Sequence, residues 1–327
     1  MCRCVYRVVF LMKRPPYTIW MIQGLAYLHI GTFRFVMHET KEINALFHLL
    51  DDPDQEVYDT VASKILLFGK EIIPNLENLW ENTVDESIQE RIEQLIHRVH
   101  YMDLQMALAQ WNKAEAPDLL QGAILIARYQ FPDMQANSVH NEIEKIKRNI
   151  WLELNNYLTP LEQINVLNSM IYNYFGLKAE EVAYVRKNQF FINQVLESKK
   201  GNPLTNGIVY QSLCAMLDLP VYAVNIPRQF ILAYFDSFYD FSEPASPDDY
   251  RILFFIDPIQ GQIYSHQDVE NYLKRMSLPP TPSYYTPQSN TRIIQFLLEE
   301  LSKCFQDDKD MYKQEELKNL IRLLSGE

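Results

Sequence analysis

Glycine and cysteine are both scarce in this chain, and each shortage excludes a class of site. Nine glycines are present among 327 residues, and they form neither a G-x-G-x-x-G fingerprint nor a Walker-type loop, so no nucleotide-phosphate cradle is predicted. The four cysteines, Cys2, Cys4, Cys214 and Cys304, are too few and too scattered for a disulfide framework. No group of Cys and His residues has the spacing of zinc ligands. We therefore expect no metal and no cofactor.

Positive charge is also deficient. The chain carries 30 Lys and Arg against 42 Asp and Glu, a formal net charge of −12, and its isoelectric point is near 5.1. Such a protein, without a basic and aromatic-rich patch, is not expected to bind nucleic acid or an anionic membrane, because the phosphates repel it. We expect a protein or peptide partner and a cytoplasmic location.

Residues 1–36 differ in composition from the rest, because they contain five basic residues and no acidic one. Residues 17–33 are apolar enough to suggest a signal sequence or a weak membrane anchor. Gln23 and His29 interrupt that stretch, however, and it is shorter than the ~20 residues of a spanning helix. A third hypothesis, which we favour, is that translation begins at Met37. A membrane partner is expected only if residues 1–36 are a genuine anchor.

Residues 37–134 are predicted to be helical and internally repetitive. An offset of 31 residues superposes apolar positions in three successive units, and three of the four sets lie at i, i+4 and i+8 of each second helix. A single unit cannot bury that stripe, so stacked helix pairs of the HEAT type are expected. Asp54 is the candidate cap of the first of these helices. The superposed sets are Leu49, Trp80 and Trp111; Val57, Ile88 and Leu119; Val61, Ile92 and Ala123; and Ile65, Ile96 and Ala127.

Residues 200–237 predict a helix followed by two strands. Asn202 is a candidate N-cap, and Pro203 suits the first helical turn because its missing N–H would be unpaired there. Apolar residues recur at helical spacing from Gly207 to Leu217. The β-branched and aromatic runs that predict strands, including a third one downstream, are Leu219 to Ile226, Phe230 to Phe235 and Ile252 to Ile256.

Several ordered motifs in and around this region carry a family resemblance. They read GNPLTNGIVYQSLCAMLDLPVYAVNIP (201–227), RQFILAYFD (228–236) and FFIDPIQGQIYS (254–265), flanked by YVRKNQFFINQVLESKKGNP (184–203) and PSYYTPQSNTRIIQFLLEEL (282–301). Over roughly residues 135–305 the chain resembles the transglutaminase-like superfamily, specifically its small bacterial SirB-type branch. Members of that branch place a Cys after the active-site Gly, a His in Pro-Gly-His-Phe and a carboxylate in Asp-Pro.

The resemblance implies a Cys-His-Asp site whose positions fall here on Pro203, Gln229 and Asp257. A thiolate at a helix N-terminus is stabilised by the helix dipole, but Pro203 has no thiol. The amide of Gln229 hydrogen-bonds but does not take up a proton, so it does not replace a base. Without an imidazole to orient, Asp257 is more simply a turn former before Pro258. We therefore predict that the site has lost its catalytic residues.

Two functional hypotheses follow, with a purely structural scaffold as a third. In the first, the protein is catalytically degenerate, and a cleft near Asn202, Thr205, Gln229 and Asp257 binds a peptide or protein. In the second, the same cleft holds a cysteine-independent hydrolase or acyltransferase, for example with Thr205 as nucleophile and His266 as base. Cys214, deep in an apolar stretch of the helix, is expected to be a buried structural thiol.

The predicted fold class is α+β. HEAT-like helical repeats are expected to precede a papain-like and transglutaminase-like core, in which helices pack on a small antiparallel sheet, and charged helices close the chain as a solvated cap. The predicted regions are an atypical extension over 1–36, helical repeats over 37–134, the core over 135–285 and the C-terminal helical cap over 286–327.

Overall fold

A computed structural model of the chain describes residues 41–236, 251–306 and 310–326. The chain divides into two units, Met1–Val99 and His100–Glu327. The hypotheses about residues 1–36 and about a start at Met37 concern positions outside the described residues. Within the described ranges, no helix is long and apolar enough to cross a membrane.

The smaller unit is built from short amphipathic helices around its own apolar core. Asp54 caps the first complete helix by accepting a hydrogen bond from the Glu56 N–H at 2.9 Å, which confirms the predicted cap. Leu50, Leu76 and Leu95 are fully buried in the core. The elements are a helix over residues 41–47, α1 (Gln55–Leu66), a 3₁₀ turn (Gly69–Ile72), α2 (Ile73–Asn82) and the first half of α3 (Glu86–Asn112).

Three of the four sets of apolar positions that recur every 31 residues in the sequence lie on three helices of the structure. The i, i+4 and i+8 positions of the predicted stripe fall on α1, on α3 and on α4 (Leu119–Gln130), and all nine side chains are buried or half-buried. The remaining set behaves differently, because Leu49 and Trp80 are exposed whereas Trp111 is buried. The third copy, on α4, belongs to the larger unit. The bounds of a repeat domain at 37–134 stay a prediction.

Most helices of the larger unit surround one apolar core. This core includes α10 (Asn290–Ser302), whose Ile293, Leu297 and Leu301 are completely buried. This charged helix therefore has one apolar face in the core, and the C-terminal helical cap over 286–327 stays a prediction. The remaining helices are α5 (Ala136–Glu153), α6 (Pro160–Asn168), a π-helix (Ser169–Tyr174), a 3₁₀ turn (Lys187–Phe190), α7 (Ile192–Ser198), α8 (Pro203–Met216), α9 (His266–Arg275), a 3₁₀ turn (Pro282–Tyr284), α10 (Asn290–Ser302) and α11 (Met311–Ser325).

Within the described ranges, the larger sheet is a four-stranded antiparallel meander of β3 (Val221–Val224), β4 (Ile231–Phe235), β5 (Ile252–Asp257) and β6 (Gln262–Tyr264), in that order. Leu232 pairs with Ile256, and Ile256 pairs with Ile263, so consecutive strands are direct neighbours. Every residue of β4 is buried, as expected for an inner strand covered on both faces. A separate parallel pair is formed by β1 (Lys178–Ala179) and β2 (Lys200–Gly201).

Helix α8 is the central element of the larger unit. Its residues from Leu204 to Cys214 are all buried, so the helix is enclosed rather than amphipathic. Gly207 allows the connection between β3 and β4 to approach closely, because a Cβ atom there would lie 2.2 Å from the Phe230 ring. This contact places the β3–β4 turn beside the start of α8. The helices packed on a small antiparallel sheet confirm the predicted α+β class.

Candidate functional site

Helix α8 begins with a buried capping box. Asn202 Oδ1 accepts a hydrogen bond from the Thr205 N–H at 2.9 Å, and Pro203 occupies the first turn, as the sequence predicts. The Thr205 hydroxyl donates to the Gln189 carbonyl at 2.5 Å, and the Asn202 amide donates to the same carbonyl at 3.1 Å. Asn202 and Thr205 are both completely buried. Their placement differs from the expected binding cleft, because both side chains are engaged inside the fold.

Pro203 faces solvent in a cleft of about 510 Å³, which we call the α8 cleft. Its floor is the start of α8, and its walls are the β3–β4 turn, one face of α10 and the segment before α7. The lining residues are Val182, Tyr184, Phe190, Pro203, Leu204, Val224, Asn225, Ile226, Pro227, Arg228, Gln229, Phe230, Gln288, Arg292, Phe296, Glu300 and Lys303.

Gln229 lies in the tight turn between β3 and β4. The Gln229 N–H donates to the Ile226 carbonyl at 3.2 Å, so Ile226 to Gln229 form a hydrogen-bonded turn with Pro227 at its second position. Arg228, at the third position, has a φ of 61°. Gln229 is exposed and lines both the α8 cleft and a second cavity.

The second cavity, which we call the α9 cavity, contains Asp257. It has a volume of about 490 Å³ and lies between the end of β5, the β3–β4 turn and α9. Burial raises the pKa of the Asp257 carboxyl above its usual value, while a hydrogen bond from the Ile259 N–H opposes the shift. That bond is 2.8 Å long, and the Gly261 N–H donates to the Asp257 carbonyl at 2.8 Å. Asp257 therefore holds a strand-end turn, as the simpler interpretation predicts.

Asn168 connects this turn to α8. Its side-chain amide donates to the Gly261 carbonyl at 2.7 Å, and its Oδ1 accepts the Tyr210 hydroxyl at 3.0 Å. Tyr210 is completely buried in α8. The turn that carries Asp257 is consequently fixed to the central helix by one bridging side chain.

The two cavities divide the three predicted positions between them. Pro203 and Gln229 line the α8 cleft, whereas Gln229 and Asp257 line the α9 cavity. Gln229 is thus the shared boundary, at the position where the resemblance places the base. The arrangement brings the three positions into neighbouring cavities, but the residues present supply neither a thiol nor an imidazole there.

The alternative nucleophiles lie elsewhere. Cys214 is fully buried, and burial raises the pKa of its thiol well above the usual value, so it stays protonated and behaves as the expected structural thiol. The hydroxyl of Thr205 is engaged with Gln189, as described above. A ring nitrogen of His266, Nε2, lies 2.6 Å from the Ile252 carbonyl, and the imidazole stacks on Tyr285. Thr205 and His266 are thus held by different partners.

The α8 cleft has an electrostatic character that sequence reasoning missed. Arg292, Phe296 and Glu300 recur at helical spacing on one face of α10, and Lys303 follows as its C-cap. All four line the cleft together with Arg228. This spacing is visible in the sequence and could have identified the face. Assigning the helix to a solvated cap concealed it.

The cations of α10 are paired. Arg292 lies 2.7 Å from Glu299, and Lys303 lies 2.5 Å from Glu300. Tyr184 also donates a hydrogen bond to Glu300 at 2.9 Å, and the hydrogen bond to Glu300 raises the pKa of the Lys303 ammonium. These charges therefore balance one another across the wall of the cleft.

The described ranges contain no group of three or more His, Cys, Asp or Glu side chains placed to hold a metal ion. The α8 cleft offers amide, guanidinium and ammonium donors together with aromatic surface. Such a set favours the binding of a peptide or another molecule that carries hydrogen-bond acceptors.

Comparisons with known proteins agree with this geometry. A family model described as the transglutaminase-like superfamily matches residues 137–299, within the predicted span of 135–305. The chain is 26% identical to the UPF0162 protein YchA of Escherichia coli strain K12 over 208 residues, which cover 63% of this chain and 72% of that protein. It is 22% identical to Protein SirB1 of Salmonella typhimurium over 209 residues, with the same two coverages. No solved structure matches the chain. The chain belongs to the transglutaminase-like superfamily and is a SirB-type member of it.

Proposed function

We propose that this protein is a catalytically degenerate transglutaminase-like protein that binds a peptide or protein segment in the α8 cleft. One observation carries the proposal. Pro203 and Gln229, at the positions of the nucleophile and the base, together line an open cleft of about 510 Å³. The cleft is retained although neither residue supplies the chemistry of its position.

The chemical argument rests on what each step of acyl transfer needs. A nucleophile of this class is a thiolate, and the base that activates it must accept a proton within hydrogen-bond reach. Pro203 has no ionisable atom, and a Gln229 amide is not protonated at neutral pH. Among the candidates from the sequence, Cys214 and Thr205 are completely buried. The hydrolase or acyltransferase alternative is therefore the less supported hypothesis.

The size and composition of the cleft support a peptide ligand. Ligand sites commonly enclose roughly 300–1,000 Å³ and combine apolar walls with a few polar groups. Val182 and Tyr184 at its edge are each 38% exposed, and the half-buried Phe296 forms part of a wall. Gln229 offers both an amide donor and an acceptor for a peptide backbone. We also propose, from the sequence, that the protein acts in the cytoplasm.

A blocking substitution tests the binding role. Random seven-residue peptides displayed on phage are selected against the full chain, and bound phage are then challenged with Gln229→Trp, which fills the exposed boundary of the cleft. Gln267→Trp is the matched control, because Gln267 is exposed on α9 and lines neither cavity. We expect enriched peptides to lose binding to Gln229→Trp and to keep it with the control. The proposal is contradicted if the enriched peptides bind both variants equally well, or if the selection enriches no peptide.

A second experiment tests the assignment of the lost catalytic positions. In Pro203→Cys/Gln229→His, the engineered thiol should react with iodoacetamide at pH 7 faster than free cysteine does, because the start of α8 and a neighbouring imidazole favour the thiolate. Pro203→Cys alone separates the contribution of the helix from that of the imidazole. An ordinary thiol pKa in the double variant would show that Pro203 is not the nucleophile position. Amine incorporation into a glutamine peptide by the unmodified protein would instead favour the enzyme alternative.

A further inference from the structure

Arg228 has a backbone conformation that its residue type does not favour. It is the third residue of the Ile226–Gln229 turn and has a φ of 61°. A turn with proline second and a positive φ third normally takes glycine or asparagine at that third position. For another residue with a Cβ atom, this left-handed region is strained. The turn therefore retains a large cationic side chain where glycine would fit more easily.

The other non-glycine residues with positive φ in the described ranges have an evident structural reason. Lys199, Asp218 and Ser277 each follow the end of a helix, where a left-handed residue lets the next N–H return to a helical carbonyl. The Leu219 N–H, for example, donates to the Cys214 carbonyl at 2.9 Å. Arg228 ends no helix, so its strain has no comparable explanation.

The charge of Arg228 also distinguishes it from the other cations of the α8 cleft. Arg292 and Lys303 are paired with Glu299 and Glu300. The Arg228 side chain is exposed, lines the cleft and has no ion pair or hydrogen bond within the described residues. It is thus an uncompensated positive charge at the rim of a cleft, in a protein whose net charge is −12.

An apolar surface lies beside this charge. The rings of Phe230 and Phe296 stack with their centroids 6.3 Å apart and an interplanar angle of 11°, and both line the cleft. The cleft-facing side of α10 extends from Arg292 to Lys303, about 16 Å at ~1.5 Å per residue. Roughly five residues of an extended peptide span that length at ~3.3 Å per residue.

We propose that the α8 cleft selects an acidic peptide segment, whose carboxylate pairs with Arg228 while a neighbouring apolar side chain packs against Phe230 and Phe296. This inference rests on the proposed peptide-binding function and adds the chemistry of the ligand. A guanidinium matches a carboxylate through two parallel N–H donors, which gives geometric as well as electrostatic selectivity. This role accounts for the left-handed backbone of Arg228, because that conformation places the guanidinium group at the rim of the cleft.

The carboxylate comes either from an Asp or Glu side chain or from the C-terminus of the peptide. The two sources share one chemistry, and synthetic peptides separate them. For each peptide enriched from the phage selection, the measured set contains the free acid, its C-terminal amide, and the amide with every Asp or Glu replaced by Asn or Gln. Loss of binding on amidation identifies the terminus, and loss only in the last peptide identifies a side chain.

Charge reversal at Arg228 is the decisive experiment. The full chain, Arg228→Glu and Arg228→Gln are compared in fluorescence anisotropy with the enriched peptides, at low and at physiological salt. We expect affinity for acidic peptides to fall at least about tenfold in Arg228→Gln and further in Arg228→Glu. Arg275→Gln is the matched control, because Arg275 is also exposed and unpaired within the described residues but lines the α9 cavity. It should leave the affinity unchanged.

Each outcome separates this inference from the proposed function. If peptides bind and Gln229→Trp abolishes binding, but Arg228→Glu leaves the preference for acidic residues intact, the role of Arg228 is overturned and the cleft function stands. Equal losses in Arg228→Gln and Arg275→Gln would show a general charge effect and also overturn it. If no peptide is enriched, both proposals fall. Arg228→Gly addresses folding, since it removes the charge and the strain together and should weaken binding without lowering Tm.

Discussion

The α8 cleft and the α9 cavity share Gln229 but are built from different charges. Among the described residues, Arg228, Arg292, Lys303 and one acid, Glu300, line the first, whereas Asp257, Asp268 and one arginine, Arg275, line the second. A working Cys-His-Asp site requires an imidazole within hydrogen-bond reach of both the thiol and the carboxylate. With glutamine at the boundary, no imidazole connects the α8 cleft to Asp257.

The helices that border these cavities begin with the same capping motif in different environments. Asn202 and Thr205 form the box of α8 and are buried, whereas Ser265 and Asp268 form the box of α9 and are exposed. Water can replace a lost hydrogen bond at α9 but not at α8. This difference gives the largest of the expected effects.

Asn202→Ala should lower the free energy of unfolding by about 2–4 kcal/mol, because it removes a cap and leaves the buried Thr205 N–H without a partner. Ser265→Ala should lower it by only about 0.5–1 kcal/mol, since water reaches that cap. Urea denaturation followed by circular dichroism measures both. Equal losses would show that the buried box adds nothing to an ordinary cap.

Gly207→Ala should break the close contact between α8 and the β3–β4 turn. The new Cβ atom would lie 2.2 Å from the Phe230 ring, and overpacking of this kind costs about 1–3 kcal/mol, of which ~1 kcal/mol is offset by the better helix propensity of alanine. Thermal denaturation tests the expected net loss. Phe230→Leu combined with Gly207→Ala should be less destabilising than the two single losses added together, and strict additivity would contradict the contact.

Asp257→Asn should give a stability difference that depends on pH. Burial raises the pKa of Asp257 in the folded state, so the folded protein binds the proton more tightly than the unfolded chain does. The contribution of this group is fully present below the unfolded pKa and is lost as pH rises through the folded pKa. The variant should therefore gain stability relative to the original protein as pH rises from about 3 to 7. The gain should stay below about 1 kcal/mol, because the carboxyl is partly hydrated.

Denaturation of both proteins at several pH values measures this difference. Asp268→Asn serves as the control in the same cavity, because hydrogen bonds from Ser265 lower the pKa of Asp268 and reverse the sign. That variant should lose stability relative to the original protein as pH rises. The same pH trend in both variants would contradict the assigned burial of Asp257.

Arg228→Gly gives the smallest expected change in stability. Relief of the left-handed strain contributes about 1 kcal/mol, and the larger entropy of glycine in the unfolded chain removes about 0.4–1 kcal/mol of it. The free energy of unfolding should therefore stay the same or rise slightly, as differential scanning calorimetry would show. A clear loss of stability would mean that Arg228 has a structural role. The difference in charge between the two cavities would then no longer rest on Arg228.

Local sequence signals predict the framework of the site well. The cap at Asn202, the proline in the first turn of α8 and the β-branched and aromatic runs of the strands are all local signals, and the elements lie where these signals place them. The turn at Asp257 is equally local, because its side chain accepts the Ile259 N–H two residues later. These features are predictable because the residues that cause them are adjacent in the chain.

Features that depend on distant contacts were not predictable. The burial of Thr205 requires the Gln189 carbonyl, and the core face of α10 requires α4 and α11 as neighbours. The sequence Pro227-Arg228 indicates a turn but does not determine the sign of φ at Arg228, since proline second is common to several turn types. Opposite exposures within one repeat set, at Trp80 and Trp111, likewise follow from packing and not from periodicity.

Asn168 affects what the carboxylate at position 257 indicates about catalysis. By joining Tyr210 to the Gly261 carbonyl, it fixes the Asp257 turn to the central helix whether or not any reaction takes place. The place of this turn therefore does not depend on the residues at 203 and 229. A carboxylate at position 257 is therefore weak evidence for catalysis, and the residues at the expected nucleophile and base positions, 203 and 229, carry more weight.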